Sequence, residues 1–433
     1  MTVQLDPNPP AHQRGAGDAL VVAARALIAW LHGRNPAHDP AAAIERIAAL
    51  EELQAAAAGA QLVEIAAFAR SRGGDGVGTV VSDGTRLRRH PGIDVAAQVG
   101  LAAKISGASA TRRVTQAVAL VDDLPHTLEV LRAGQLSAFT ASLVVSETSA
   151  LGPAQRRAVD ADLAPRLAAM GPRRAATAAR RAAIRLDPTS ATRRARTARS
   201  DRRVSIRPAP DTMSLLTAYL PVEQGIAAHA ALTAHAKALR AAGDIRGLGQ
   251  IMADTAVERL TGQTRAAGVP TEVIVTISAD ALAGRSDEPA HLRGAGPVPA
   301  SAVREAIAIS QESGAPVWLR RMITDPVHGT ATHLDSARRR HTGPLARAID
   351  ARDLTCRMPF CDAPIRHHDH VTPWRRHRVT TVEGGQGLCE YHNYAKEQPG
   401  WSSRVIPGPV HTIEVVTPTG HTYLSHAPPA LGP

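Results

Sequence analysis

Three cysteines and one histidine near the C-terminus have the spacing of a metal site. Cys356 and Cys361 form a Cys-x4-Cys knuckle, and Cys389 with His392 forms a Cys-x2-His knuckle. Tetrahedral Zn2+ accepts four Cys or His ligands, and two short loops that each give two ligands close such a site without leaving a water position. The chain has no other cysteine. An odd number of clustered cysteines argues against a disulfide framework and for a structural metal. Between the knuckles runs HHDHVTPW, residues 367–374, and after the second runs NYAKEQPGW, residues 393–401.

The elements that must position these groups follow from pattern. Segment 40–72 places Ile44, Ile47, Leu50 and Leu53 at helical spacing among strong helix formers. Gly, Pro and Ser signals set off further predicted helices at 93–105, 109–122, 124–133, 136–149, 153–169 and 172–185. Around Arg202 the pattern changes to two β runs joined by a Pro-Asp turn, then helices over 222–243 and 246–262. TEVIVTIS, 271–278, reads as a buried strand. Residues 283–300 read as a surface loop, SAVREAIAIS as a helix, and the stretch after Trp318 as a hairpin turning near Asp325 to Gly329.

Six of the eleven aromatic residues and every cysteine fall after residue 355, which places a boundary near 340. The expected architecture is a mainly α N-terminal domain with a mixed α/β middle region, followed by a small module stapled by zinc. Its divisions are a loosely packed or disordered N-terminus (1–39), a mostly helical domain with a few strands (40–340), the metal module (341–405), and a C-terminal extension ending in a disordered tail (406–433).

The net charge of +11 favours a polyanionic partner, nucleic acid first. The same surplus is the compositional bias of a chain rich in Ala, Arg, Gly and Pro. Only three lysines occur, Lys104, Lys237 and Lys396, so the one inside the motif region carries more information than an arginine would. Twelve arginines lie between Arg173 and Arg207, where the only acidic residues are Asp187 and Asp201. That stretch reads equally as a DNA-tracking surface, through Arg193, Arg194, Arg196 and Arg199, or as a solvated helix face. The first ten residues lack a basic region followed by an apolar stretch, and the apolar run from Ala19 to Leu31 is interrupted by Arg25. A soluble, cytoplasmic protein with no membrane partner is expected.

The pattern Cys-x4-Cys, Asp-His-Val-x-Pro, Gly-Leu-Cys-x2-His-Asn-x2-Lys resembles the HNH endonucleases. Upstream, LDPTSATRRARTARSDRRVSI, LPVEQGIAAHAALTAHA, RRMITDPVHG and RAIDARDLTCRMPFC resemble the actinobacterial HNH proteins with a long N-terminal domain of unknown function, of the DUF222 type. The resemblance implies that the zinc-stapled module has a ββα-metal fold, two strands and a helix around a catalytic metal. It makes Asp369 and Asn393 ligands of a catalytic Mg2+ or Mn2+, and His370 the general base for an attacking water. The residue types suit these roles, because hard cations prefer oxygen and a neutral imidazole accepts a proton near pH 7. Lys396, one turn after Asn393, would neutralise a phosphate.

Two departures stand out: Gly384 occupies the position where relatives carry a loop asparagine, and the second knuckle ends in His392 where many have cysteine. Strand alternation would also set Asp369 and His370 on opposite faces and His368 beside His370, which makes His368 an alternative ligand. The plainer reading of His367 and His368 is a pair of solvated histidines. The resulting expectation is a metal-dependent endonuclease acting on DNA, with the helical domain binding DNA, a partner or a second subunit as a homo-oligomer. The alternative is a zinc-stabilised nucleic-acid-binding protein of mobile-element origin that does not cleave.

Overall fold

A computed structural model describes residues 18–72, 91–262, 275–292, 296–312, 335–336, 341, 343–374 and 379–428. By compactness the chain forms two units. The first is Met1–Pro188 with Gln398–Trp401 and Val415–Tyr423, and the second is Thr189–Glu397 with Ser402–Glu414 and Leu424–Pro433.

The first unit is helical. It comprises α1 (Ala19–His32), α2 (Pro40–Ser71), α3 (Pro91–Ala103), α4 (Gly107–Asp123), α5 (Pro125–Arg132), α6 (Ala138–Thr148), α7 (Pro153–Leu167) and α8 (Pro172–Leu186). Local signals start these helices: α2, α5, α7 and α8 each begin on a proline, and Asp39, Ser106 and Ser137 cap α2, α4 and α6 through their side chains. α5 lacks a side-chain cap of its own. Asp160 of α7, fully buried, accepts from the amides of His126 and Thr127 at 2.7 and 3.0 Å and satisfies the first turn of α5 instead. Leu120, Leu124, Leu131, Leu163 and Leu167 form the core, each 0% exposed. α2 crosses α5 at Gly59, where a Cβ would come within 2.7 Å of Arg132 Cγ, so the approach requires glycine.

The predicted helices from 40 to 185 agree with this unit to within a few residues. The N-terminal stretch 1–39 instead contains α1, capped by Asp18 but with no buried residue, so helix propensity and capping order it without a core.

The second unit begins with α9 (Pro188–Ser200), absent from the sequence reading. The expected hairpin follows as β1 (Arg203–Pro208) and β2 (Ser214–Tyr219), then α10 (Val222–Ala241) and α11 (Leu248–Thr261). Of the strand expected at 271–278 the described part is β3 (Val275–Thr276), leading into α12 (Ala279–Leu282). The expected loop 283–300 holds two strands, β4 (Ala290–Leu292) and β5 (Gly296–Val298), which pair antiparallel beside β3. Their alternate residues Ala290 and Val298 are buried with Val303 of α13 (Ala300–Glu312), and that small core overrides the Gly and Pro content that suggested a loop. The hairpin expected near 325–329 lies outside the described residues.

The metal module consists of β6 (Asp335–Ser336), α14 (Pro344–Asp353), β7 (His367–His370), β8 (Thr380–Thr381), β9 (Gly385–Leu388) and α15 (Glu390–Ala395). β7 and β9 pair antiparallel with His370 opposite Gly385, and α15 packs on both. β6 pairs with β8, so the structured module starts before the boundary near 340 that composition indicated. The extension is ordered over its described residues, through the 422–426 span where a tail was expected, and 429–433 lie outside the described residues. β10 (Ser402–Ile406), β11 (Thr412–Val416) and β12 (Thr422–His426) form a three-stranded sheet whose alternating Ile413 and Val415 are buried.

Candidate metal centre and catalytic cleft

The two knuckles converge. Sγ of Cys356, Cys361 and Cys389 and a ring nitrogen of His392 lie within 4.8 Å of one another, and all four residues are buried. Cys361 Sγ is 3.9 Å from Cys389 Sγ, and His392 Nδ1 is 3.6 Å from Cys356 Sγ and 3.4 Å from Cys389 Sγ. Tetrahedral bonds of about 2.3 Å to sulfur imply ligand separations of about 3.8 Å, so these donors suit one metal such as zinc. Backbone bonds shape the first loop: Cys361 N–H donates to Met358 O, and Cys356 N–H donates to Ala363 O. Cys389 caps α15, which brings His392 one turn behind it. Hydrogen bonding from Cys361 and Cys389, with burial, pushes the Cys356 thiol up, and Cys361 is raised to about 11. Cys389, hydrogen-bonded by Cys356, Cys361 and His392, is lowered. A cation is what lets all three sulfurs serve as thiolates.

Beside this centre, β7 presents its residues to two sides. On one, Asp369 Oδ2 pairs with Lys396 Nζ at 2.7 Å, and its Oδ1 accepts the amide of His370 at 2.8 Å. His367 lies on the same side, its ring 6.1 Å from Tyr394 of α15. Asn393 Oδ1, on α15, is buried without a hydrogen-bond partner. On the other side, His368 Nε2 bonds Asp350 Oδ1 at 2.7 Å, and His370 Nε2 bonds Thr380 Oγ1 at 3.0 Å. His370 is buried, and its Nδ1 lies 3.9 Å from Asp369 Oδ1, within reach of the Asp369 side. His368 is thereby bonded to α14 through Nε2 and is partly buried, which differs from the solvated pair expected of His367 and His368.

Lys396 was expected to touch phosphate, yet its side chain is 7% exposed and its ammonium is held between Asp369 and Glu397. Burial works against its charge, but the two carboxylates outweigh burial and keep it above its ordinary value. Of the four expected DNA contacts on α9, all exposed, Arg193 bonds Ser190 Oγ at 2.9 Å and Arg199 pairs with Glu223 at 2.7 Å.

Two features escaped the sequence. His341, 5% exposed, places its ring 4.5 Å from that of His370 and bonds Thr381 O through Nε2 at 3.1 Å. Burial, reinforced by His370, pushes its pKa down to about 4, and its Nδ1 has no partner. Its one sequence signal is its place just ahead of the Gly-Pro start of α14. The second is a buried charge network in which Asp353 accepts from Arg352 at 2.7 and 3.0 Å, from Arg357 at 3.0 Å and from the Gly387 amide at 2.7 Å. Arg352 also donates to Val382 O and Gly385 O, and Arg357 to His411 O and Ser425 O, which ties α14, the first knuckle, β9 and the C-terminal strands together.

Among known proteins, the chain is similar to the uncharacterized protein Rv3776 of Mycobacterium tuberculosis, 31% identical over 180 residues, or 36% of this chain and 33% of that one. It is 36% identical over 90 residues to the uncharacterized proteins Rv2100 and MT2160 of the same species, covering 20% of this chain and 16% of each. The matches thus span a third or less of these relatives. No solved structure matches. The model of the family described as a domain of unknown function, DUF222, matches residues 47–353, from within α2 to the end of α14, and the chain belongs to that family.

Proposed function

We propose that the protein is a metal-dependent HNH-type endonuclease that hydrolyses DNA, with Zn2+ as a structural staple and Mg2+ or Mn2+ as the catalytic ion. The observation that carries this reading is Asn393 Oδ1, a buried acceptor without a partner on the helix that packs against the strand of Asp369 and His370. An orphaned carbonyl oxygen on a helix packed against the strand that carries a carboxylate is a candidate donor for a hard cation. Such an ion, on Asp369 and Asn393, would polarise the phosphate and stabilise the leaving oxygen.

His370 serves as general base. Thr380 Oγ1 can accept from Nε2–H, which leaves Nδ1, on the Asp369 side, unprotonated for the water proton. Gly384, where the loop asparagine is missing, still fixes the end of β7 next to His370 through its backbone, since Gly384 O accepts the amide of Val371 at 2.9 Å. The exposed arginines of α9 supply a sequence-independent grip on the DNA backbone.

A non-cleaving nucleic-acid binder is the second reading, and the Lys396 ammonium on Asp369 favours it, because it supplies the positive charge that a divalent ion would otherwise bring. Nicking of supercoiled plasmid by the zinc-loaded full chain, with Mg2+, Mn2+ or EDTA, separates the two. Metal-dependent nicking that falls roughly 100-fold or more in His370→Ala, with DNA affinity kept, is expected. An intact plasmid with zinc verified and Mn2+ present selects the binder.

A further inference from the structure

A general base must hold the plane of its ring as well as its place, and a histidine side chain does not do so alone, because its χ2 rotation is broad and two-fold. The bond between His370 Nε2 and Thr380 Oγ1 pins one atom of that ring. His341 supplies a contact against the ring itself. The two imidazoles lie 4.5 Å apart, tilted by 52°, and both residues are buried.

The surroundings are built to admit His341 at this place. Gly385 stands opposite His370 across the β7–β9 pair, and a Cβ there would come within 2.6 Å of His341 Nε2. The Gly385 carbonyl accepts from the buried Arg352 at 2.8 Å, which holds that stretch of backbone in place. β8 then ties the two histidines together: Thr380 bonds His370, and the carbonyl of the next residue, Thr381, lies 3.1 Å from His341 Nε2. A carbonyl only accepts, so Nε2 of His341 carries the proton. Its Nδ1 is buried without a partner, and a second proton there would be a buried, unpaired charge, so the ring stays neutral. A neutral ring can lie against His370 without repelling the imidazolium formed when His370 takes a proton.

We propose that His341 is a positioning residue for His370, anchored on Thr381 O and packed against the ring of the general base so that Nδ1 of His370 stays on the Asp369 side. The inference rests on the reading of His370 as that base. His341→Gln in the zinc-loaded full chain tests it, because a glutamine Nε2 can still donate to Thr381 O but offers no ring. Side-chain nitrogen NMR, with His370→Gln to assign the signals, is expected to show one tautomer of His370 in wild type and a mixture in His341→Gln, since a ring free to leave Thr380 samples both. Equal tautomer content in the two proteins overturns the proposal, whether or not either cleaves DNA. In plasmid nicking with Mn2+, His341→Gln should lower kcat roughly 10- to 100-fold, the cost of displacing a reacting group by about 1 Å, and leave KM and zinc content at wild-type values. A variant with wild-type kcat also overturns it. If wild type leaves the plasmid intact, the endonuclease reading fails and the NMR comparison decides the contact. Should His341→Gln fail to fold, His341→Phe, which keeps a ring and gives up the donor, is expected to hold His370 in its wild-type tautomer, and a mixture there rejects the contact.

Discussion

The helical unit and the metal module are held together by different physics. In the first, Leu120, Leu124, Leu131, Leu163 and Leu167 are fully buried. In the second, Leu345, Ile349 and Val382 form a small core, and beside it and other buried apolar residues such as Leu388 and Val371 lie three thiols, a histidine and the Arg352–Asp353–Arg357 network. Apolar cores are non-directional and tolerate repacking, whereas buried charges and metal ligands demand fixed partners. The module therefore has the positional accuracy a site requires, and it is fragile toward chemistry that leaves the helical unit untouched.

Metal removal should break the comparison most visibly. Apparent zinc binding contributes roughly 10–16 kcal/mol in zinc-finger peptides, so a chelator or Cys356→Ser should unfold the module while the helical unit keeps its far-ultraviolet signal. Measured zinc loss with unchanged protection of the β7 and β9 amides in hydrogen exchange would sink the structural role. Next in size, Asp353→Ala leaves two buried guanidinium groups without their carboxylate and should cost roughly 3–5 kcal/mol in the unfolding transition of the module. Replacement by a group that left that transition in place would show the network to be dispensable.

The contrast also explains what could be read from the sequence. Helices α2 to α8 were legible because proline starts, serine caps and apolar periodicity are local signals, and the Cys356, Cys361, Cys389 and His392 cluster because a chain with three cysteines gathers them all there. His341 and Asp353 were not, since nothing near them in sequence announces His370 or Arg357 as a neighbour. β4, β5 and β10–β12 were missed for a related reason: short strands owe their order to residues packed across a sheet, and propensity over three to five residues is a weak guide. Asp369, His370 and Asn393 were found by resemblance, and the commitment of Lys396 to Asp369 needed coordinates.

Leu120→Ala sharpens the comparison from the other side. It should cost roughly 2–5 kcal/mol in the helical unit and leave zinc content unaltered. Release of zinc by that variant would mean that the two units unfold as one.

The smallest expected effect is on acid stability. His341 has its pKa pushed from 6.5 down to about 4 in the folded chain, so between these values the unfolded chain binds the proton and the folded chain does not. Its neutral form thus supports the fold fully above pH 6.5, and that support is lost as the pH falls toward 4, by at most about 3 kcal/mol. Denaturant titrations of wild type and His341→Gln should show a shallower acid decline in the variant; parallel curves would assign the decline to other groups.

The bonds from Arg357 to His411 O and Ser425 O also bear on how this module travels as a genetic unit. In a gene fragment that stops at the end of the motif, Arg357, whose side chain is 2% exposed in the full chain, would keep Asp353 but lose both carbonyl acceptors. The transplantable cassette is accordingly longer than its signature residues. Recombination that fuses it to a new partner would have to join downstream of β12, and a designer grafting it onto another scaffold faces the same cut site.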